Sequence, residues 1–145
     1  MSAPLPDVVR LVALRETPLQ VAEVLGALDH PAAGGLDLFV GRVRDHDGGR
    51  GVSALSYSAH PSAVQRLEEV CAEVAAEFDL HALAAVHRVG PLAVGDLAVV
   101  VGTAASHRDA CFAATRALID RLKERVPIWK DQHFTDGDRE WVGTP

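Results

Sequence analysis

The stretch Arg121–His133, RLKERVPIWKDQH, decides how the last part of the chain folds. Pro127 cannot continue a helix, so the helical pattern before it is expected to end there, and Ile128–Phe134 is predicted to be a strand. The stretch also holds Lys123 and Lys130, the only lysines among the 14 lysines and arginines of the chain. Lysine, unlike arginine, can lose its proton when desolvated and then act as a base or nucleophile. The segment therefore indicates a lysine-based site, with two ordinary surface lysines as the alternative.

Outward from this stretch, apolar periodicity predicts three helices and seven strands in the order β-α-β-β-α-β-β-α-β-β. Val52–Ala59 is expected to pair with Leu36–Arg44 as a long hairpin around the loop Asp45–Gly51, and the apolar strand Asp96–Ala105 is expected to be central. Hairpins mixed with crossovers predict an α+β layered fold with a mainly antiparallel sheet and a C-terminal hairpin. The predicted strands are Asp7–Arg15, Leu36–Arg44, Val52–Ala59, Leu80–Val89, Asp96–Ala105, Ile128–Phe134 and Arg139–Val142. The predicted helices start at Pro18, with Thr17 as the N-cap, at His60-Pro61-Ser62 and at about His107. The second helix is expected to turn an apolar stripe towards the core, formed by Val64, Leu67, Cys71, Val74 and Phe78.

Composition limits the possible functions. The 145 residues are expected to form a single domain, 1–145, and the net charge of −6 argues against a nucleic-acid-binding protein. No signal pattern or membrane-length apolar run is present, and Cys71 and Cys111 are too far apart for a CxxC motif. We therefore expect a cytoplasmic protein with buried free thiols and no membrane partner. The seven histidines fall in no metal-binding spacing, which predicts that the chain carries no metal.

One cationic cluster lies where the second predicted strand enters the glycine loop. Arg42 and Arg44 share a face of that strand, because side chains repeat every second residue. Two guanidinium groups beside a flexible backbone can clamp a phosphate or carboxylate, and a solvated hairpin edge is the alternative. The pair is a candidate anion site.

A second cationic cluster, Ser106–Asp109, lies at the start of the third predicted helix. Free backbone N–H groups at a helix start attract anions, and His107 and Arg108 would add to that attraction; a simple Ser106 cap is the alternative. His107 and Lys123 are sixteen residues apart on one helix, which is about 24 Å. No small ligand bridges that distance, so either the two ends serve separate sites or a second copy supplies the missing end. We favour a two-fold homodimer with composite pockets.

These clusters, taken in order, resemble the catalytic (large) subunit family of molybdopterin synthase. The resemblance covers nearly the whole chain from Asp7 to Val142, and the Ser-His-Arg and Lys…Pro-Ile-Trp-Lys blocks are its most specific parts. It implies an α/β hammerhead-type fold and a homodimer within a heterotetramer. The matching stretches are Phe39–Arg44, Val52–Tyr57, His87–Leu92, Gly95–Asp96, Ser106–Arg108 and Asp120–Lys130.

The resemblance also implies an activity. Members of this family move sulfur from the C-terminal Gly-Gly thiocarboxylate of a ubiquitin-like small subunit onto cyclic pyranopterin monophosphate, without a cofactor of their own. The implied catalytic residues are Lys123 and Lys130, with their individual roles open. The implied substrate-binding residues are Arg42, Val43, Arg44, Lys123, Lys130, Asp131 and Gln132, together with His107 and Arg108 of the dimer mate.

The chain departs from the family pattern at two places. Ser58-Ala59-His60 replaces the usual acid and tyrosine after Tyr57, and Asp131-Gln132 replaces a usual basic residue and glutamate. The alternatives to an active enzyme are a non-catalytic homolog that binds the partner's Gly-Gly tail and a generic anion-binding domain.

Overall fold

The computed structural model describes residues 4–143, which form nine strands and three helices. No helix within that range is long and apolar enough to cross a membrane. The strands divide between two sheets, and antiparallel pairings predominate, which confirms the predicted α+β class. In chain order the elements are β1 (Val9–Arg15), α1 (Val21–Ala27), β2 (Gly35–Arg42), β3 (His46–Asp47), β4 (Arg50–Ala59), α2 (Ala63–Glu77), β5 (Ala82–Arg88), β6 (Gly90–Ala93), β7 (Leu97–Ala105), α3 (Arg108–Arg125), β8 (Ile128–Phe134) and β9 (Arg139–Gly143).

The first sheet has the strand order β1-β5-β7-β2, and only the β1–β5 pairing is parallel. Strand β7 lies between two neighbours and is buried from Ala98 to Ala105, as its nearly all-apolar sequence predicts. Helices α2 and α3 cover one face of the sheet, and α1 covers the other. The predicted central strand is confirmed.

Helix α2 buries its predicted stripe, with Leu67, Cys71 and Val74 fully inside. Val64, predicted on the same stripe, is 40% exposed, because α2 begins only at Ala63 and Val64 lies in its first turn at the margin of the core.

The predicted start of α1 is wrong. The helix begins at Val21, so Thr17 is not its N-cap and Pro18 is not its first residue. Leu19 is buried in the α1 core with Val24 and Leu28, and the chain stays extended through Gln20 to place it there.

The predicted hairpin between the second and third long strands is also wrong. Strand β2 pairs along its length with β7, whereas β4 belongs to a second sheet of order β3-β4-β8-β9, in which β6 also pairs with β4. Leu38 and Val40 of β2 pack in the α1 core, and they reach it only as part of the first sheet. The glycine loop is itself a small hairpin, in which His46–Asp47 pairs with Arg50 and Gly51. Gly48 and Gly49 make its turn with φ of 58° and 81°.

The C-terminal hairpin is confirmed. Strand β8 pairs with β9 in antiparallel register from Trp129 to His133, and Gly137 supplies a positive φ of 94° in the connecting turn. Both cysteines are buried and free, as predicted.

Gly102 leads to a stability prediction, because it lies at the middle of the central strand where no side chain fits. A Cβ there would lie 2.5 Å from Leu38 Cδ2 and 2.8 Å from the carbonyl oxygen of Asp37. We expect Gly102→Ala to lower the free energy of unfolding by about 1–3 kcal/mol through overpacking. Urea denaturation at an unchanged m-value measures this difference.

Gly26 provides the matched control. A Cβ at this helical position meets nothing within 4 Å, so Gly26→Ala is expected to be neutral or to stabilise by up to about 1 kcal/mol. Equal unfolding midpoints for the two variants would contradict the packing described for β7.

Candidate functional site around Lys123 and Lys130

Lys130 lies on the second sheet above a half-buried tyrosine. The β4–β8 register places Lys130 directly opposite Tyr57, and directly opposed residues of antiparallel strands project on the same face. The ring of Tyr57 packs against a small core of Val43, Leu55, Leu92 and Ala98, and burial raises the pKa of its hydroxyl. Tyr57 therefore forms an apolar floor beside Lys130.

Lys123 reaches the same region from the last turns of α3. Its neighbours Leu122 and Val126 are buried in the helical core, and Pro127 turns the chain into β8. Lys123 is exposed in the single chain, yet the protein atoms around the end of α3 partly desolvate its amine. This desolvation lowers the pKa of Lys123, and repulsion from the Lys130 ammonium lowers it further. The two lysines thus lie close enough to influence each other.

His87 at the end of β5 is the most deeply buried titratable group near the lysines, with 2% of its surface exposed. Its ring meets the ring of Tyr57 edge-on, with 4.9 Å between the centroids. Burial lowers the pKa of His87 to about 4, and the Lys123 ammonium contributes to the lowering. A neutral imidazole therefore lies beneath the two amines at physiological pH.

Asp47 in the glycine hairpin links Lys130 to the arginine cluster. Gln132 Nε2 donates a hydrogen bond of 2.7 Å to Asp47 Oδ2, and Arg44 lies 3.5 Å from Asp47 Oδ1. The Gln132 hydrogen bond lowers the pKa of Asp47, and the charges of Lys130 and Arg44 lower it further. Sequence reasoning missed this aspartate, because no motif distinguishes it from the other acid of the same loop.

The segment Arg42–Arg44 divides between surface and core. Arg42 and Arg44 are exposed and line one open cavity of about 280 Å³, so the structure brings these two predicted anion-binding residues together. Val43 is 4% exposed; its N–H donates to Asp96 and its carbonyl oxygen accepts from Gly95. Val43 therefore packs in the core with both backbone groups paired, although it also lines the cavity of Arg42 and Arg44, and its contact with substrate stays a prediction.

His107 and Arg108 lie at the opposite end of α3 from Lys123. They line a cavity of about 280 Å³ together with Asp109. His107 is the N-cap and makes no side-chain capping bond, while the Ser106 hydroxyl pairs with His81. The single chain therefore does not bring this cluster to the lysines.

Asp131 and Gln132 project on opposite faces of β8. Gln132 is buried on the Lys130 side and reaches Asp47, as described above. Asp131 lies on the other face, where Arg139 holds its carboxylate at 2.5 Å and lowers its pKa, with His133 nearby. Its predicted contact with substrate stays a prediction, but the single chain does not place it beside the lysines.

Two sizeable cavities lie away from the lysines. Two of about 400 Å³ are present among the described residues, one between the start of α2 and the end of α3 and one between β2 and α3. Neither cavity is lined by Lys123 or Lys130.

The chain has an α+β fold in which Lys123 and Lys130 lie near a half-buried tyrosine and a buried histidine, with Arg42 and Arg44 together on the surface. These features are typical of an enzyme subunit. Comparison with known proteins identifies the family. The model of the family described as MoaE protein matches residues 14–125, and this chain belongs to that family.

Similar proteins include the molybdopterin synthase catalytic subunit 1 of Mycobacterium tuberculosis, which is 44% identical over 131 residues, covering 90% of this chain and 88% of the relative. The molybdopterin synthase catalytic subunit of Bacillus subtilis is 34% identical, over 90% of this chain and 83% of its own. Among solved structures, molybdopterin synthase from Staphylococcus aureus matches with a TM-score of 0.84 and 30% identity, over 92% of this chain and 97% of that one. A complex of subunits 1 and 2 of molybdopterin-converting factor from Helicobacter pylori, at 20% identity and a TM-score of 0.69, shares the fold.

His87 gives the site a pH signature. Its pKa is about 4 in the folded chain and about 6.5 when unfolded, so between these values the unfolded state binds the proton and the folded state does not. Stability is therefore lost as the pH falls from about 6.5 to about 4, by about 3 kcal/mol in total, and it levels off below.

The check is urea denaturation of wild type and His87→Gln across this range. The loss attributed to His87 is expected in the wild type alone, because glutamine does not titrate there. Parallel stability curves for the two proteins would show that His87 is not a buried neutral group.

Proposed function

We propose that this chain is the catalytic subunit of a molybdopterin synthase and moves sulfur from a thiocarboxylated small subunit onto cyclic pyranopterin monophosphate. Relatives that carry this name match most of the chain at 34–44% identity. The observation that carries the proposal is the meeting of Lys123 and Lys130, the only lysines of the chain, at one surface.

The surroundings of the two lysines favour different roles. The lowered pKa of Lys123 suits an amine that exchanges a proton with the reacting groups or transiently holds the acyl end of the partner. Lys130, which lies near the Asp47 carboxylate, would supply the positive charge of its side chain. Such a charge would stabilise the negative oxygen that develops on the thiocarboxylate carbonyl.

The anionic substrate would be held by guanidinium groups. Arg42 and Arg44 share a cavity, and Arg44 connects to Lys130 through Asp47, so a phosphate bound there would lie next to the amines. His107 and Arg108 would complete the site from a second copy, because their own chain holds them at the far end of α3.

A homodimer has a suitable surface on this chain. Strand β2 is an edge of the first sheet, and its exposed Phe39 lies next to Phe112 of α3, which is 58% exposed. Exposed apolar side chains that line a cavity on an unpaired edge suit an isologous interface. The partner at the lysine site would be a ubiquitin-like small subunit, in keeping with the two-subunit complex from Helicobacter pylori. A cytoplasmic location agrees with two buried free thiols.

Substitution of the lysines tests the activity. We expect Lys123→Ala and Lys130→Ala each to lower the turnover of precursor to dithiolene by at least about 100-fold, because proton transfer and oxyanion stabilisation are each lost. Binding of the small subunit, measured separately by titration calorimetry, is expected to persist.

Arg10→Ala is the control for loss of an exposed cation, since Arg10 lies on β1 outside the site. Full turnover in both lysine variants would reject the proposed mechanism. A wild-type chain that binds the small subunit without turnover would instead be a non-catalytic homolog.

Mixing two inactive variants tests the composite site. Chains with Lys123→Ala and chains with Arg108→Ala are co-refolded, so that about half of the dimers are mixed and each mixed dimer holds one intact site. The mixture is expected to regain about a quarter of wild-type turnover, whereas each variant alone stays inactive. A mixture as inactive as its parents would place Lys123 and Arg108 in the same site of one chain or in unrelated sites.

A further inference from the structure

The glycine hairpin carries Arg44 into the candidate anion site, but the hairpin is too short to hold itself in place. Only two residues of each strand pair, His46–Asp47 with Arg50 and Gly51, and an isolated two-stranded hairpin is at best marginally stable in water. The side chain of Arg44 is 66% exposed, so it is not packed in a core. Contacts with other parts of the protein must therefore determine where Arg44 lies.

Asp47 supplies such a contact, because its two carboxylate oxygens face different partners. Oδ2 accepts a hydrogen bond of 2.7 Å from Nε2 of Gln132 on β8, and Oδ1 accepts one of 3.5 Å from Nη2 of Arg44. Gln132 is 3% exposed, whereas the side chain of Asp47 is 36% exposed. One carboxylate thus joins a donor inside the second sheet to a guanidinium group at the surface.

Gln132 is a fixed donor because β8 has a strand on each side. It pairs with Leu55 of β4 and with Glu140 of β9, and Phe134, two residues further on the same face of β8, is buried. A buried amide that loses its acceptor leaves an N–H group unsatisfied, which is costly. The hydrogen bond to Asp47 is therefore strongly favoured in the folded chain.

A second contact holds the other strand of the hairpin. Arg50 Nη2 lies 2.8 Å from Asp136 Oδ2 and 2.9 Å from Asp138 Oδ2, in the turn between β8 and β9. The same guanidinium group covers the ring of Phe134 at 3.8 Å from its centroid. The hairpin therefore stays attached to this turn when the hydrogen bond from Gln132 is changed.

We propose that Gln132 and Asp47 are positioning residues of the anion site: the buried amide orients the carboxylate, and the carboxylate orients the guanidinium group of Arg44 for binding the phosphate of the substrate. Contact with a single carboxylate oxygen leaves other N–H groups of the guanidinium for the anion. This inference rests on the proposed function and deepens it, because Gln132 then acts through Asp47 without touching the substrate.

The chemistry of the pair allows its two groups to be exchanged. Gln132→Glu places two carboxylates against each other, so the donor is lost and the link to Arg44 is broken. Asp47→Asn in the same chain reverses the hydrogen bond, because the amide introduced at position 47 donates to the carboxylate introduced at position 132. The oxygen of that amide still accepts from Arg44, and the net charge returns to that of the wild type.

Turnover of the reconstituted enzyme, with the small subunit and cyclic pyranopterin monophosphate, tests the exchange. We expect Gln132→Glu to raise KM for the pterin about tenfold with kcat nearly unchanged, because anion binding is disturbed and the lysines are not. The double variant Gln132→Glu/Asp47→Asn is expected to recover a KM within about threefold of the wild type. A double variant no better than Gln132→Glu, or a loss confined to kcat, would overturn the proposal.

Two matched controls separate the pair from charge alone. Gln65→Glu adds the same charge on the exposed face of α2 and is expected to leave KM unchanged. Gln132→Glu combined with Asp45→Asn has the same net charge as the double variant, but Asp45 is paired with His46, so KM is expected to stay raised. Recovery of KM through Asp45→Asn would overturn the proposal.

A measurement on the chain alone is independent of activity. The Nε–Hε NMR signal of Arg44, assigned with Arg44→Lys, is followed during a titration with inorganic phosphate. Gln132→Glu is expected to need about fivefold more phosphate than the wild type or the double variant for the same change. Equal titrations in the three proteins, or a wild-type signal that phosphate does not move, would overturn the proposal.

Asp47→Ala, at a partly exposed position, covers the case in which Gln132→Glu does not fold. Removal of a negative charge beside the cavity would by itself strengthen phosphate binding, whereas loss of the group that orients Arg44 is expected to weaken it. Stronger binding in Asp47→Ala would overturn the proposal. If phosphate binds in the expected order but the reconstituted wild type shows no turnover, the proposed function fails and the positioning of Arg44 stands.

Discussion

The burial of the last turn of α3 is the constraint on which the lysine site depends. Leu122 and Val126 are almost completely inside the helical core, and Pro127 ends the helix while its carbonyl oxygen accepts the N–H of His60. The chain must therefore enter β8 at this point and pair with β4. One helix end and one strand pairing together bring two lysines, seven positions apart in sequence, to a common surface.

The two sheets contribute differently to the site. The first sheet supplies a rigid apolar body, and it places His87 beneath the end of α3. The second sheet supplies the register that sets Lys130 over Tyr57 and the small hairpin that brings Asp47 and Arg44 alongside. The chain as a whole has a net charge of −6. Lys130 and Arg44 give this part of its surface a local positive charge, which attracts anions.

Sequence reasoning succeeds where one segment carries its own signal. The stripe of α2, the apolar run of β7 and the hairpin after Pro127 follow from local periodicity and turn residues. Sequence reasoning fails for the pairing of β2 and β4. Strands adjacent in sequence favour a hairpin, but Leu38 and Val40 of β2 become buried only when β2 pairs with β7. His87 and Asp47 went unassigned for the same reason: their importance arises from contacts with segments distant along the chain, which no local pattern records.

The arrangement of α3 has a consequence for how such an enzyme behaves in dilute solution. One helix of 18 residues carries Arg108 at its start and Lys123 near its end, and these two residues cannot meet within one chain. If two copies must exchange these ends, an isolated protomer is chemically incomplete however well it is folded. Specific activity would then decline once the concentration falls below the dissociation constant of the pair, so protein abundance itself would limit the output of the pathway.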